Sequence, residues 1–452
     1  MLGDFAGRTP HSCLGRGFCR GFGEILTENP RSSLGLAMVD EGAVQGAEIR
    51  GRNRAAILRL LQAAPSARAA ISAATGLSAP TVTRVVATLL QEGVVRERVA
   101  SPAARAGRPA AQVELIPGAG AVVGMTLGMG LARLVVCDLI GQVERRAVIR
   151  FDADDAEEAL REIGAKTRRL LAAMGDQRAR VLGVGVGAPG PVDAAGRTIL
   201  LGVHHGWRDV PAADILEAAV QVPVTVDHLV RAMAFAEAHH GCGREDRNLA
   251  FVYVQLGVGA GLVLDRQPYH SGTQGTTEIG HIQVVADGKP CVCGNTGCLE
   301  TVVSSTVLQE AAQALRDGDP GGVVAQQLGA GMPAVAALDA AAAAGDDAAD
   351  DVLRAAGATL GQAVVTLVNL FNPTLVVLGG VASDSEILAE CVRDQIRRHA
   401  FPLIRDSVRV EMTTFGALVG PIGAAAVALE RFFYRVPASR QLGKGVAGCR
   451  SS

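Results

Sequence analysis

The chain has 452 residues, of which 49% are hydrophobic and 19% charged, with a formal net charge of −2. That length exceeds one ordinary core and calls for two or three domains, and the balance of apolar and charged residues is normal for a soluble globular protein rather than a membrane-embedded one. The charge is uneven: residues 50–110 hold ten arginines against Glu92 and Glu97, a net of +8, so the rest of the chain carries −10. A compact basic segment joined to an acidic body points to a polyanionic partner for one domain, or to a solvated charged face.

In chain order, residues 1–45 show many glycines and no sustained periodicity. They read as disordered, or as an over-long start with Met38 as the true beginning. Residues 1–20 hold no continuous apolar run of signal-peptide type, so a reduced, cytoplasmic protein is expected. Regular structure is expected from near Asn53, with AAILRLLQAA as a helix and Ser66 capping a second, ARAAISAA, that stops at Thr75-Gly76. A third helix follows, with Ser78 as N-cap and Pro80 tolerated in its first turn. In it Val82, Val85, Val86, Leu89 and Leu90 repeat at helical spacing and form the buried stripe, while Thr81, Thr83, Arg84 and Thr88 lie off it. Two helices, a tight turn through Gly76 and a helix with a small polar outer face make the helix-turn-helix pattern, which turns Ser78, Thr81, Thr83 and Arg84 toward DNA. After Gly93, VVRERVA and AQVELI read as a two-stranded wing whose loop carries Arg105 and Arg108. There Gly107-Arg108-Pro109 is a stiff, extended arginine presenter suited to a narrow minor groove. Without DNA, the same stretch would be a small three-helix packing domain.

From Ala121 the chain turns to glycine-punctuated apolar strands such as VLGVGVGAPGPVD and LAFVYVQLGVGAGLVL, alternating with helical segments such as DDAEEALREIGAKTRRLLAAM. That alternation indicates an α/β body. The uncharged stretch AAGATLGQAVVTLVNLFNPTLVVLGGVAS is divided by Asn372-Pro373 and Gly379-Gly380 into a helix and a buried strand, so no membrane span is expected.

His281, Cys291, Cys293 and Cys298 stand within eighteen positions. Three sulfurs and one imidazole complete a four-coordinate Zn2+ site with no open position, hence a structural one. An iron–sulfur cluster usually takes four thiolates. A disulfide is disfavoured by the reduced compartment and by the one-residue gap between the first two cysteines.

The stretch GHIQVVADGKPCVCGNTGCLE resembles the signature of the ROK family (repressor, open reading frame, kinase): Gly-His, nine residues, then Cys-x-Cys-Gly-x-x-Gly-Cys-x-Glu. The resemblance runs from about Asn53 to Phe433 and includes TGLSAPTVTRVVATLLQEGVV, GVGAPGPVD, LGVGAGLVL, EIGH, LGGVAS and GPIGAAAVA. It implies a winged helix-turn-helix over residues 50–116 and an actin-like, sugar-kinase-type body of two α/β lobes around a sugar cleft over 120–435. A flexible tail over 436–452 and assembly as a homodimer or tetramer complete the picture. It also implies that His281 binds zinc through one nitrogen and offers the other to a sugar hydroxyl, and that Glu278 and Glu300 accept hydrogen bonds from the sugar. Carboxylates accept from hydroxyls, and a metal-fixed loop would hold them in place; the plainer reading is that both glutamates are simply solvated.

The family holds both sugar kinases and DNA-binding regulators. Phosphoryl transfer needs a carboxylate to take the hydroxyl proton and loops that grip phosphates and metal. Counting back from Glu237 in VDHLVRAMAFAE puts His228 on the family's Asn and Leu229 on its catalytic Asp, and leucine accepts no proton. The kinase motif Asp-x-Gly-Gly-Thr falls on Thr126-Leu127-Gly128-Met129-Gly130, without its Asp or its Thr. The second phosphate loop keeps Gly257, Gly259 and Gly261 but has Gln255 for its first glycine. Catalysis is not expected, and His228 is left as a donor or acceptor in a weaker or differently selective cleft. The expected function is a transcriptional regulator of repressor type that binds a double-stranded operator and responds to a sugar or sugar derivative it does not phosphorylate. Two other readings stay open: an ATP-dependent sugar kinase of hexokinase type with an appended DNA-binding domain, and a regulator controlled by a protein partner.

Overall fold

A computed structural model describes residues 41–99, 111–152, 155–270 and 277–435. Arg105 and Arg108 of the wing loop lie outside the described residues, as do 1–40 and the expected tail over 436–452. The chain divides into two compact units, Met1–Gln45 and Gly46–Ser452, and the second carries both the winged helix-turn-helix and the α/β body.

The N-terminal elements are α1 (Glu41–Ala63), β1 (Ser66–Ala67), α2 (Arg68–Thr75), α3 (Ala79–Gln91), β2 (Val95–Val99) and β3 (Ala111–Leu115). α1 starts well before Asn53, inside the segment expected to lack structure. Its buried anchors are Ala55, Ile57, Leu58 and Leu61; no proline precedes them back to Glu41, so a helix nucleated there extends backward at little further cost. Ser66 does not cap α2. The N-cap position is Ala67, with no side-chain bond, because Ser66 and Ala67 are drawn into a sheet by pairing with Val113 and Gln112. The wing is therefore three-stranded, in the order β1-β3-β2. α2 ends at Gly76 in the left-handed region, φ 70°, which glycine adopts without penalty. Ser78 does cap α3, its hydroxyl accepting from the Thr81 amide at 3.4 Å. Val82, Val86 and Leu89 are fully buried, whereas Val85 and Leu90 are half-buried at the edge of the same cluster.

The body holds two five-stranded sheets with one connectivity. In the first, β4 (Ala121–Leu127), β5 (Leu131–Asp138) and β6 (Val143–Arg150) form an antiparallel meander. After α4 (Ala156–Ala172), β7 (Val181–Ala188) joins parallel to β4. A hairpin of β8 (Ile199–Gly202) and β9 (Trp207–Val210) and then α5 (Ala212–Val220) lead to β10 (Val224–His228), parallel to β7. The order is β10-β7-β4-β5-β6. α6 (Leu229–His240) follows. The second sheet repeats the plan with β11 (Leu249–Val254), β12 (Val258–Leu264) and β13 (Gln267–Pro268) as the meander. Next come α7 (Glu300–Val303), α8 (Ser305–Gly318), α9 (Val323–Gly329), α10 (Ala334–Ala343) and α11 (Asp347–Phe371), then β14 (Leu375–Gly380), parallel to β11. α12 (Glu386–His399) and α13 (Pro402–Arg405) precede β15 (Arg409–Met412), and the order is β13-β12-β11-β14-β15. Each sheet has its own buried cluster with its own helices. α14 (Val419–Leu429) runs on into a π-turn over Glu430–Tyr434. The segments Asp347–Phe371 and Gly416–Tyr434 are long and apolar enough to cross a membrane, yet 56% and 61% of their most apolar windows are buried inside the protein, as befits core helices. The uncharged stretch is thus α11 followed by β14, as its breakers imply.

Near its C-terminal end α6 carries Glu237, whose carboxylate is fully buried. It accepts from the Thr413 hydroxyl (2.5 Å), the Thr414 amide (3.0 Å) and hydroxyl (3.1 Å), and the Cys242 amide (3.0 Å). The carboxylate thereby ties α6 to the turn after β15. Replacing Glu237 by Leu takes the acceptor from these four donors, which are half-buried or exposed, and each donor left unsatisfied inside the protein costs about 1–3 kcal/mol. The expected loss in urea unfolding is about 3 kcal/mol or more, with a loss under about 0.5 kcal/mol contradicting the assignment.

Candidate functional site

The loop after β13 brings the sequence-predicted ligands together. His281 ends a tight turn over Ile279–His281, and the chain returns by bonds from the Val284 amide to Gly297 O (2.8 Å) and from the Leu299 amide to Ile282 O (2.9 Å). The Cys291 Sγ lies 3.6 Å from His281 Nδ1, and the Cys293 and Cys298 sulfurs are 3.8 Å apart. All four ligand atoms fall within 4.8 Å of one another. Cys291 and Cys298 are buried and Cys293 is exposed. Burial and hydrogen bonds with Cys291 and Cys293 push the Cys298 thiol up to about 12, while at Cys293 desolvation is outweighed by hydrogen bonds that lower the thiol, and a bound cation would displace the thiol protons. The cluster can hold a metal ion.

Two residues beyond Cys298, Glu300 opens α7 and is buried. Its carboxylate accepts from the Val258 amide at 3.1 Å and lies 3.5 Å from His204 Nε2. Burial pushes the Glu300 carboxyl up, but the His204 imidazole and the Val258 amide outweigh it and leave it below the usual carboxylate range. His204 sits in the turn between β8 and β9, so this contact bridges the two lobes. Gly257 lies against both side chains: a Cβ there would stand 2.9 Å from Glu300 Oε2 and 3.1 Å from His204 Nε2. The glycine spacing read as a phosphate-loop remnant thus also makes room for a carboxylate–imidazole pair. His204 escapes sequence reasoning, because the His-His-Gly-Trp stretch matches no ligand motif and its partner is 96 positions away.

His228 ends β10 on the first lobe, buried, with no hydrogen-bond partner for Nδ1. Burial and the Arg231 charge push it down to about 3. Asp227, the neighbouring carboxylate, is held by Arg231 at 2.5 Å, and burial pushes its carboxyl up despite that pairing. Leu229 points its Cδ1 against Gly187 and Gly420. Glu278 is exposed at the start of the His281 turn. The structure therefore gathers His281, the three cysteines, Glu300 and the unforeseen His204, with Glu278 on the same turn and His228 at the end of the first sheet.

On α3, Thr83 and Arg84 are exposed, while the Ser78 and Thr81 hydroxyls bond each other at 2.9 Å. The basic face is thinner than the arginine count implies. Arg54 pairs with Glu92 (2.7 Å), Arg59 with Glu430 (2.6 Å), Arg68 with Glu97 (2.8 Å) and Arg96 with Glu114 (3.0 Å).

A model of the ROK family matches residues 122–431, and a model of the IclR helix-turn-helix domain matches residues 54–98. The chain is similar to the DNA-binding transcriptional repressor Mlc of Escherichia coli (strain K12), with 29% identity over 384 residues covering 84% of this chain and 93% of that one. It is also similar to a glucokinase of Halalkalibacterium halodurans, 32% identical over 246 residues covering 54% of this chain and 74% of that one. Among solved structures, a ROK family transcriptional regulator homologous to E. coli Mlc superimposes with a TM-score of 0.75 at 27% identity, covering 86% of this chain and 98% of that one.

The buried His228 gives a pH prediction. In the unfolded chain an imidazole takes up its proton near 6.5, whereas in the fold His228 resists until about 3. Between those values the unfolded state binds more protons, so stability is full above about 6.5 and falls as pH is lowered through the window. Urea unfolding from pH 7 to pH 4 should show a shallower decline for His228→Asn than for the parent protein. Equal slopes would contradict the assignment.

Proposed function

We propose, on the footing that this chain belongs to the ROK family, that it is a DNA-binding transcriptional repressor whose hold on its operator is altered by a sugar or sugar derivative held between its lobes. One observation carries the reading: a helix-turn-helix shares a chain with a kinase-like cleft in which a buried Glu300 faces His204 across the lobes and Leu229 stands at the base position. The protein works in the cytoplasm, as a homodimer or tetramer. α3 enters the major groove with Thr83 and Arg84 over base edges and Ser78 and Thr81 at its leading end, and Arg105 and Arg108 reach the minor groove. Two such modules favour an inverted repeat.

The metal is zinc. Tetrahedral coordination at ordinary Zn–S and Zn–N lengths sets about 3.8 Å between sulfurs and about 3.6 Å between sulfur and nitrogen. The sulfur–sulfur distance of 3.8 Å and the sulfur–nitrogen distance of 3.6 Å support that choice. With His281 Nδ1 on the metal, Nε2 is left for a sugar hydroxyl, while Glu278 and Glu300 accept from others. His204 and His228 add imidazoles from the opposite lobe, that of His228 kept neutral by burial. Phosphoryl transfer does not follow: Leu229 takes no proton, and Thr126-Leu127-Gly128-Met129-Gly130 offers no carboxylate for a phosphate-bound metal.

Elemental analysis should find about one zinc per chain, lost in Cys298→Ser. Iron in its place, or no metal, would contradict the assignment. With operator duplexes selected from a randomised pool, Arg84→Ala should weaken binding about 5- to 150-fold, the range of one good base contact. Glu300→Ala should bind the operator as the parent does, yet lose the response to whichever of glucose, N-acetylglucosamine, mannose or xylose shifts it. A normal response in Glu300→Ala would remove the effector from this cleft.

A further inference from the structure

α6 runs from the cleft to the helix-turn-helix. Its first turn begins at Leu229, directly after His228, and its last ends at His240. Its twelve residues span about 18 Å. Every residue from Val230 to Ala238 is buried, so the helix is enclosed along its length. At its far end, His240 Nδ1 accepts from the Gln62 amide of α1 at 3.1 Å. Gln62 also donates to Ile140 O (3.2 Å), and its own carbonyl accepts from the Tyr434 hydroxyl (2.9 Å). All the bonding capacity of that side chain that faces the body is thus used in holding α1 to it.

α14 follows the same course beside α6. At one end a Cβ on Gly420 would stand 3.5 Å from Leu229 Cδ1 and 2.8 Å from Thr126 Cγ2. At the other, the π-turn over Glu430–Tyr434 receives Arg59 on Glu430 (2.6 Å) and Arg54 on Phe433 O (3.2 Å). Midway, a Cβ on Gly423 would come within 2.8 Å of Ala232 O, so the two backbones touch and cannot slide independently. From α1 the connection continues to α3. Arg54 pairs with Glu92 at the end of α3, and Ile57, Leu58 and Leu61 share a buried cluster with Val82, Val86 and Leu89. That same cluster includes Phe235 and Ala236 of α6 and Leu429 of α14.

We propose that α6, locked to α14, is the element through which the state of the cleft sets the placement of α1 and hence of α3, with Gln62, His240 and Tyr434 as the positioning residues at its far end. The proposal rests on the reading of the cleft as an effector site, and its test separates the two. Packed helices have few alternative arrangements, so a displacement at Leu229 is passed on rather than absorbed. The low pKa of His240, about 4 from burial, keeps its ring neutral and able to accept from Gln62.

The test needs no known effector. Leu229→Asp places a carboxylate against Thr126, Gly187 and Gly420 and disturbs the cleft end of α6. Affinity for operator duplexes selected by the parent protein is measured for Leu229→Asp, Gln62→Leu, Tyr434→Phe and the two pairs. Residues this far apart with no shared partner act additively. If α6 transmits, Leu229→Asp changes operator affinity about fivefold or more in the parent background and less than about twofold beside Gln62→Leu or Tyr434→Phe. Should Gln62→Leu fail to fold, the single hydroxyl lost in Tyr434→Phe carries the test. The proposal is overturned if Leu229→Asp has the same effect in every background, or none in the parent. Glucose, xylose, mannose and N-acetylglucosamine are titrated in parallel. A sugar that shifts parent affinity should lose its effect in Tyr434→Phe; if no sugar shifts it, the effector reading fails while the α6 proposal stands or falls on Leu229→Asp.

Discussion

The backbone of α14 meets its neighbours through bare glycine on two sides, once a glycine of β7 and once its own, and the other parts of the molecule are placed by that contact. A Cβ on Gly185 of β7 would stand 1.9 Å from Ala424 O, and one on Gly423 would meet Ala232 of α6 at 2.8 Å. Helix and sheet backbones come this close only where no side chain intervenes. The first lobe, through β7, and the second, through α6, whose Val230 O a Cβ on Gly261 of β12 would approach to 2.4 Å, are therefore referred to one helix. That helix ends in the π-turn that Arg54 and Arg59 grip from the DNA-binding side. On the proposal made above, a cleft and a DNA-reading helix that share such a mount feel each other's position.

The loop of His281 and the three cysteines plays a complementary part. It holds His281 and, through Cys298, leads into α7, so with the proposed zinc bound Glu300 would reach the cleft from a loop cross-braced at its four ligands. A carboxylate placed this way needs no reorganisation to accept a hydroxyl. On the proposed function, His204, arriving from the other lobe, would make the same carboxylate a sensor of closure: a ligand bonding Glu300 would change what His204 faces, and only that difference in affinity between lobe arrangements can move the equilibrium.

Much of this was legible in the residues. The stripe of Val82, Val86 and Leu89 repeats at the period that buries a helix face, and the Cys-x-Cys spacing fixes two thiols on one turn whatever surrounds them. Local signals of that kind survive because their partners are near in sequence. Ser66 reads as a cap by the same local logic, but strand pairing with Val113 prevails, a partner 47 positions away that no cap rule sees. The arginine count of the N-terminal segment overstated its DNA face for a like reason, since Arg59 finds Glu430 371 positions on. His204 and Glu300 meet across the lobes, and the shared connectivity of the two sheets leaves no repeat in the sequence, because backbone pairing demands little of side-chain identity.

The central claim is that cleft and operator are two sites of one equilibrium. Linkage then requires that sugar and DNA alter each other's binding by the same factor. The most direct measurement is calorimetric titration of the responsive sugar into the protein alone and into the protein saturated with operator. The account predicts affinities that differ by the factor the sugar imposes on operator binding. The same sugar affinity in both titrations would contradict it.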